Sequence, residues 1–389
     1  MGESSGNPFP CPFCEQEHPL SAGFCPDTGR PLLPAHKVAG RTVESYFSVG
    51  QMIGEGTSGV VYGCENMTTR ILFAAKFFKL NLNDPASMEA FKRYRKDARE
   101  AELTAHRNIA ELAAVGVTPE GIPYEIMEFL KGADLGVLLE QIDRIPLRDA
   151  AGVAQQVLEG LEAAHARGIV HGSLNPFCIF LAKQARGPVA VKILDFGLVH
   201  ILPHVLRPPR PAHTAGPPAR ADYRAPEQGA GDAGRIDHRS DLFSMAVILF
   251  QAITGRHPFA DSRDPDEPLD AREIMPDLPA AVADFLGLGL AAERGKRFQS
   301  ASDMLADLRA LDLEGPGRRP PVDRGQEAAK QGEKPKGKSR GIGLPVTEVV
   351  MHAHKDYSLS RRERIIRLDT SEKDGSGKTG RGKKKREER

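Results

Sequence analysis

Gly54, Gly56, Gly59 and Val61 fall in the run GEGTSGVV at the spacing G-x-G-x-x-G-x-V. Glycines at this spacing let backbone N–H groups close over phosphate oxygens where any side chain would collide. Dinucleotide sites use similar glycines, but between a strand and a helix. Here the flanking residues alternate, in YFSVGQMIGEGTSGVVYGCEN, which predicts a β-hairpin and disfavours the dinucleotide use. Lys76 follows in the middle of FAAKFF, where a lysine is costly to bury without an anionic partner. Asp195, in ILDFG, is an acid able to hold a metal ion against phosphates.

A second group of chemically capable residues lies near the start of the chain. CPFCEQEHPLSAGFCPDTGRPL resembles a zinc ribbon, with Cys11-x-x-Cys14 in one knuckle and Cys25 in another, followed by Gly29. A closed structural zinc site takes four ligands. Thr28 occupies the position expected for the fourth cysteine, and His18 or Asp27 stands as a substitute. A zinc-bound module and a degenerate, metal-free knuckle both remain open. Either reads as a protein-contact module, because aromatic and basic residues are not interleaved as nucleic-acid binding would need.

The elements that must position these groups follow from pattern. The 389 residues are 40% hydrophobic and 27% charged, ordinary for a globular chain. Residues 45–312 carry the periodic apolar patterns of one large domain, after a 1–35 module and before a 313–389 tail. TRILFAAKFFKL and GIPYEIMEFL read as strands, and residues 87–106 read as a helix with Phe91, Tyr94 and Ala98 on one face. From about 148 onward helices dominate, one bearing Val153, Val157 and Leu161 and closing at Gly168. The fold class is therefore α+β, with a strand-rich small lobe ahead of a helical large lobe.

Further landmarks appear in order: YRAPE with Glu227, RSDLFSMAVILFQAITG led by Asp241, and KRFQ with Arg297. With the glycine loop, Lys76 and Asp195, they make residues 47–312 resemble the bacterial, eukaryotic-like Ser/Thr protein kinases. The resemblance implies a bilobal protein-kinase fold with ATP and Mg²⁺ in the cleft. Gly54, Gly56 and Gly59 would cover the phosphates, Val61 and Ala74 would lie above adenine, and Phe180 would lie below it. Met127 would be the gatekeeper, with Glu128 and Leu130 at the adenine edge. Lys76 would meet the α- and β-phosphates, and Asp195 would bind Mg²⁺. Glu227 and Arg297 would form a large-lobe ion pair, and Asp241 would brace the catalytic-loop backbone.

The catalytic loop departs from that family. Its pattern is His-Arg-Asp-Leu-Lys-Pro-x-Asn, whereas this chain reads HGSLNPFC over 171–178. Ser173 stands for the catalytic base, Asn175 for the γ-phosphate lysine, Cys178 for a metal-binding asparagine, and Gly172 for the arginine that pairs with a phosphorylated activation loop. Serine accepts no proton at neutral pH, and a positioned general base is worth about 10²–10⁴ in rate. Sulfur suits Mg²⁺ poorly. The activation segment agrees: Ala219-Arg220 replaces the Gly-Thr that precedes this region in such kinases, and Thr214 is its one threonine. Counting back from HRNI, the acid expected to pair with Lys76 falls on Asp97, with Glu100 one turn later as the other choice. These losses point to a pseudokinase that binds ATP and acts as a scaffold. The alternative is a Ser/Thr kinase with weak or unconventional phosphotransfer.

Net charge is +1, yet residues 315–389 hold 21 Lys or Arg against 11 Asp or Glu. An acidic body thus carries a basic, Pro/Gly/Lys-rich tail expected to be disordered, interrupted by the apolar island 342–351. The tail suits acidic partners, and the domain implies signalling proteins, active kinases or their substrates among the rest. GSGKTG is no phosphate loop of the Walker type, since its first glycine would fall on Glu372. No apolar run reaches membrane-spanning length, and five cysteines without an export signal predict reduced thiols in a cytoplasm.

Overall fold

A two-stranded ribbon of β1 (Phe9–Pro10) and β2 (Glu17–His18) opens the chain, pairing Phe9 with His18. The computed structural model describes residues 8–184, 189–206, 223–229, 236–260 and 267–313. Thr214, Ala219, Arg220, residues 314–389 and with them the 342–351 island lie outside the described residues.

The small lobe is built on a six-stranded antiparallel sheet: β3 (Thr42–Val43), β4 (Phe47–Glu55), β5 (Gly59–Asn66), β6 (Leu72–Phe78), β7 (Leu112–Val117) and β8 (Pro123–Glu128). Its order is β3-β4-β5-β6-β8-β7, so β8 crosses over to lie beside the lysine strand. Val49, Val60, Tyr62, Ala75, Phe77 and Ile126 fill one of its faces. Helix α1 (Pro85–Glu102) starts where Pro85 follows the N-cap Asp84, whose carboxylate accepts from the Ser87 N–H at 2.9 Å. It ends before the expected 106, because the Thr104 hydroxyl caps the Ala101 carbonyl at 2.7 Å and Ala105 turns left-handed at φ 48°. The predicted face holds: Phe91, Tyr94 and Ala98 are buried, packed with Phe78, Leu198 and Ile201.

Below the cleft, β9 (Gly132–Asp134) leads into α2 (Leu135–Gln141) and α3 (Leu147–His165). Strands β10 (Ile179–Ala182) and β11 (Ala190–Ile193) pair antiparallel, with β9 on the far side of β10. Next come α4 (Leu198–Ile201), α5 (His238–Thr254), α6 (Ala271–Ile274), α7 (Ala280–Gly289) and α8 (Ala301–Ala310). Helix α5 is buried almost all round, which is why its sequence shows no polar face. The large-lobe core joins α3, α5, α7 and α8 through Val157, Leu161, Leu249, Leu286 and Leu305. No helix among the described residues is long and apolar enough to cross a membrane.

Candidate functional site

The residues expected around adenine gather in one place. Val61 on β5, Ala74 on β6, Met127 on β8, Leu130 and Phe180 on β10 form a single buried apolar cluster, joined by Ala182. Register explains the small-lobe part, since Ala74 lies directly across from Met127. Glu128 turns its side chain to Lys192 at 2.6 Å and to the Glu111 N–H at 2.9 Å. The glycine loop lies between β4 and β5, closed by the Gly56 N–H donating to the Gly59 carbonyl at 2.8 Å. Glu55, inside that loop, receives Lys79 at 2.6 Å, His36 at 2.9 Å and Arg30 at 3.2 Å. Burial would raise its carboxyl, but the His36 hydrogen bond and the Lys79 charge outweigh burial and lower it to about 2.

Lys76 is buried and forms an ion pair with Asp195. Its other anionic neighbour corrects the sequence expectation. Neither Asp97 nor Glu100 reaches it; the Glu125 carboxylate lies 3.8 Å away. Lys76 and Glu125 are directly opposed across β6 and β8, so their side chains share a face. Asp97 is instead held by His200 at 2.7 Å, and Glu100 meets Arg167 near the surface at 3.5 Å. The second oxygen of Glu125 accepts the Tyr94 hydroxyl from α1. Burial raises the Glu125 carboxyl to about 7, against the pull of Lys76 and with the push of Asp195.

The catalytic-loop scaffold is held from beneath. Asp241 accepts the N–H groups of His171 at 2.8 Å and Gly172 at 2.7 Å, and pairs with His165 at 2.9 Å. His171 meets the Leu194 carbonyl at 2.8 Å through Nε2 and packs its ring on Phe196; burial lowers its pKa, favouring the neutral ring. Glu227 and Arg297 form a two-bond pair, each bond 2.9 Å, with the Arg297 side chain fully buried.

Two of the altered side chains, Asn175 and Cys178, turn inward onto each other and onto the Ser173 carbonyl. Asn175, 1% exposed, donates Nδ2–H to the Ser173 carbonyl at 2.8 Å and to Cys178 Sγ at 3.1 Å. Its Oδ1 accepts the Phe177 N–H at 3.1 Å, capping the short turn Pro176–Cys178. Cys178 is wholly buried, with Sγ 3.8 Å from the same Ser173 carbonyl. The Ser173 hydroxyl faces His171 Nδ1 at 3.4 Å. Gly172 adopts the left-handed φ of 67°, and a Cβ there would meet Val199 at 3.2 Å.

At the N-terminus two turns repeat one hydrogen-bond pattern. The Cys11 N–H donates to the Gln16 carbonyl and the Glu15 N–H to the Cys11 carbonyl, at 2.8 and 2.9 Å. The Cys25 N–H donates to Arg30 and the Gly29 N–H to Cys25, both at 2.8 Å. Glu15 and Gly29 are left-handed at φ 64° and 68°. Cys14 and Thr28 therefore occupy equivalent places in the two knuckles. The donor atoms of Cys11, Cys14, His18 and Cys25 all lie within 4.8 Å of one another, with Cys14 Sγ 3.2 Å from His18 Nε2. Asp27 is not in this cluster. Three thiols and an imidazole at these separations suit tetrahedral zinc, whose ligand atoms sit about 3.5–4 Å apart.

Two lobes, a glycine loop over a buried Lys–Asp pair, and the Glu227–Arg297 and Asp241 braces define a protein kinase domain. The family described as protein kinase domain matches residues 47–307, and the chain belongs to it. Among curated proteins it is 36% identical over 217 residues to the serine/threonine-protein kinase Pkn1 of Myxococcus xanthus, covering 55% of this chain and 30% of that one. It is 29% identical to pkn3 of the same organism, covering 71% of this chain and 51% of that one. It is 28% identical to PknB of Mycolicibacterium smegmatis, over 67% of this chain and 42% of that one. The chain thus spans about half or less of these relatives' lengths. The crystal structure of the Mycobacterium tuberculosis PknI kinase domain shares the fold, with TM-score 0.55, 23% identity, and coverage of 70% of this chain and 98% of that one.

Glu125 and the Glu55 cluster escaped the sequence reading. One signal for Glu125 was present: an acid set between apolar residues in the middle of the strand PYEIME.

Proposed function

We propose that this chain is a signalling pseudokinase, able to bind ATP in the cleft while its loop no longer performs phosphoryl transfer. The observation that carries this reading is the closed set of hydrogen bonds among Ser173, Asn175 and Cys178. The side chains that stand for a γ-phosphate cation and a metal ligand are spent inside the loop. No group at position 173 accepts a proton at neutral pH. The residues fit a nucleotide: Lys76 and Asp195 sit together beside the adenine cluster and glycine loop. They do not fit a second Mg²⁺, because a fully buried thiol replaces a hard oxygen. Bound ATP would supply the charge that engages Lys76, with Asp195 holding one Mg²⁺. Function then lies in protein contacts, with signalling proteins, active kinases or their substrates as partners.

A second reading, a Ser/Thr kinase with weak or unconventional transfer, draws on the retained Lys76–Asp195 pair and on relatives named as serine/threonine-protein kinases. One experiment separates them: radiolabel transfer from ATP by purified protein, beside thermal shift with ATP. Binding without transfer supports the pseudokinase. Turnover near about 1 per second, within the usual kinase range, rejects it. For the N-terminal module, we read Cys11, Cys14, His18 and Cys25 as a structural zinc site, with His18 replacing the cysteine absent at Thr28. Zinc-free protein with an ordered N-terminus would overturn that assignment.

A further inference from the structure

We propose that Glu125 is the positioning residue for Lys76, supplying from the sheet the anion that helix α1 does not provide. The inference rests on the nucleotide-binding reading for its purpose but not for its geometry. Lys76 and Glu125 face each other across adjacent strands, both buried, 3.8 Å between charged atoms. Tyr94 fixes one carboxylate oxygen from α1, so the helix still reaches the lysine, through a hydroxyl and a strand acid. The other oxygen has no hydrogen-bond partner within the described residues. It is the oxygen nearer Lys76, and the residue lines a cavity with Ala98, Met127, Asp195 and Phe196. Both alternative acids are engaged elsewhere, Asp97 with His200 and Glu100 with Arg167.

The arrangement has a use. In the free protein Lys76 is held by Asp195. A Mg²⁺-bearing nucleotide would draw that carboxylate to the metal, leaving the buried ammonium short of an anion. An uncompensated buried charge is strongly unfavourable. Glu125 is the acid already in place across the strand to hold Lys76 aimed into the cleft. The β6–β8 register fixes it directly opposite the lysine.

The test reads Lys76 directly in the full chain. Purified wild type, Glu125→Gln and Asp97→Asn are treated at pH 8, where Glu125 is ionised, without nucleotide, with a succinimidyl ester, and labelling is followed peptide by peptide by mass spectrometry. Loss of the facing carboxylate releases the Lys76 amine from its cross-strand partner, so Glu125→Gln should label Lys76 about tenfold faster. Labelling of exposed Lys92 should be unchanged, and Asp97→Asn should leave Lys76 as in wild type. Mg²⁺-ATP affinity, by calorimetry, should fall about tenfold in Glu125→Gln only. Equal Lys76 labelling in wild type and Glu125→Gln, or an equal rise in Asp97→Asn, overturns the assignment. Failure of wild type to bind millimolar ATP removes the nucleotide reading alone, since the labelling comparison still decides the role of Glu125. If Glu125→Gln does not fold, Tyr94→Phe unties the same carboxylate. Faster Lys76 labelling there supports the proposal, and no change rejects it.

Discussion

Arg30 donates to Glu55 across 3.2 Å, joining the second cysteine knuckle to the residue between the first two glycines of the phosphate loop. Its guanidinium also lies 3.9 Å over the Phe13 ring, between the two cysteines of the first knuckle. His36 and Lys79 reach the same carboxylate, and Lys79 continues to the Gly56 carbonyl at 3.0 Å. The glycine loop is thus braced from outside the kinase domain.

Glu55→Gln should therefore destabilise the small lobe by about 3 kcal/mol, because it leaves the buried Lys79 facing an uncharged amide. Arg30→Ala should cost less than about 1 kcal/mol, since the guanidinium is partly exposed. Chemical denaturation of both variants checks the ordering. The Glu55 carboxyl is lowered from 4.5 to about 2, so its contribution is present above pH 4.5 and lost as pH falls toward 2.

The knuckle equivalence gives an exchange test. His18→Ala should lower zinc content from about one equivalent per chain, the stoichiometry of one closed four-ligand site. Adding Thr28→Cys should restore it, because Thr28 occupies in the second turn the place of Cys14 in the first. Atomic absorption after dialysis against a weak chelator reads the result.

Glu125 predicts a sign for pH. Its carboxyl is raised from 4.5 to about 7 among Tyr94, Lys76 and Asp195, with Glu102 and Glu111 lining the same cavity. A raised acid contributes stability fully present below pH 4.5 and lost as pH rises through about 7. Denaturation at pH 5.5 and pH 8 should show wild type losing stability relative to Glu125→Gln. Buried neutral His171 works in the opposite direction in both proteins, so the difference between them isolates Glu125.

Restoring Ser173→Asp, Asn175→Lys and Cys178→Asn together should raise autophosphorylation above wild type by about 10²-fold, the lower end for a general base. Single restorations should stay at background, because groups acting as a unit are not additive. The Asn175 change also removes the cap of the Pro176–Cys178 turn, at a cost of about 1 kcal/mol. A radiolabel assay beside a melting curve separates the two effects.

Much of this was legible in the sequence, for identifiable reasons. The glycine hairpin and the lysine strand are written in local pattern, and α5 in an apolar run too long for a strand. His171 and Asp241 could be matched because they sit in contiguous motifs. The partner of Lys76 could not, because β6 and β8 are distant in sequence and their register is set only when the sheet assembles. Counting along the chain pointed to helix α1, whereas the opposing strand holds the acid. The inward turn of Asn175 and Cys178 was equally hidden, since a pattern records which residue is present and not which way it faces. His18 stood beside Asp27 as an equal choice until the β1–β2 pairing brought it to the cysteines.

Gly172 limits how the loop could be rebuilt. Its left-handed backbone and the Val199 side chain against its open face suit a residue with no side chain. Any mutation that placed a side chain there would meet left-handed strain, about 1–2 kcal/mol, as well as crowding from Val199. A Gly172→Arg change should therefore be felt first as lost stability, and trimming Val199 to alanine should recover the part owed to crowding.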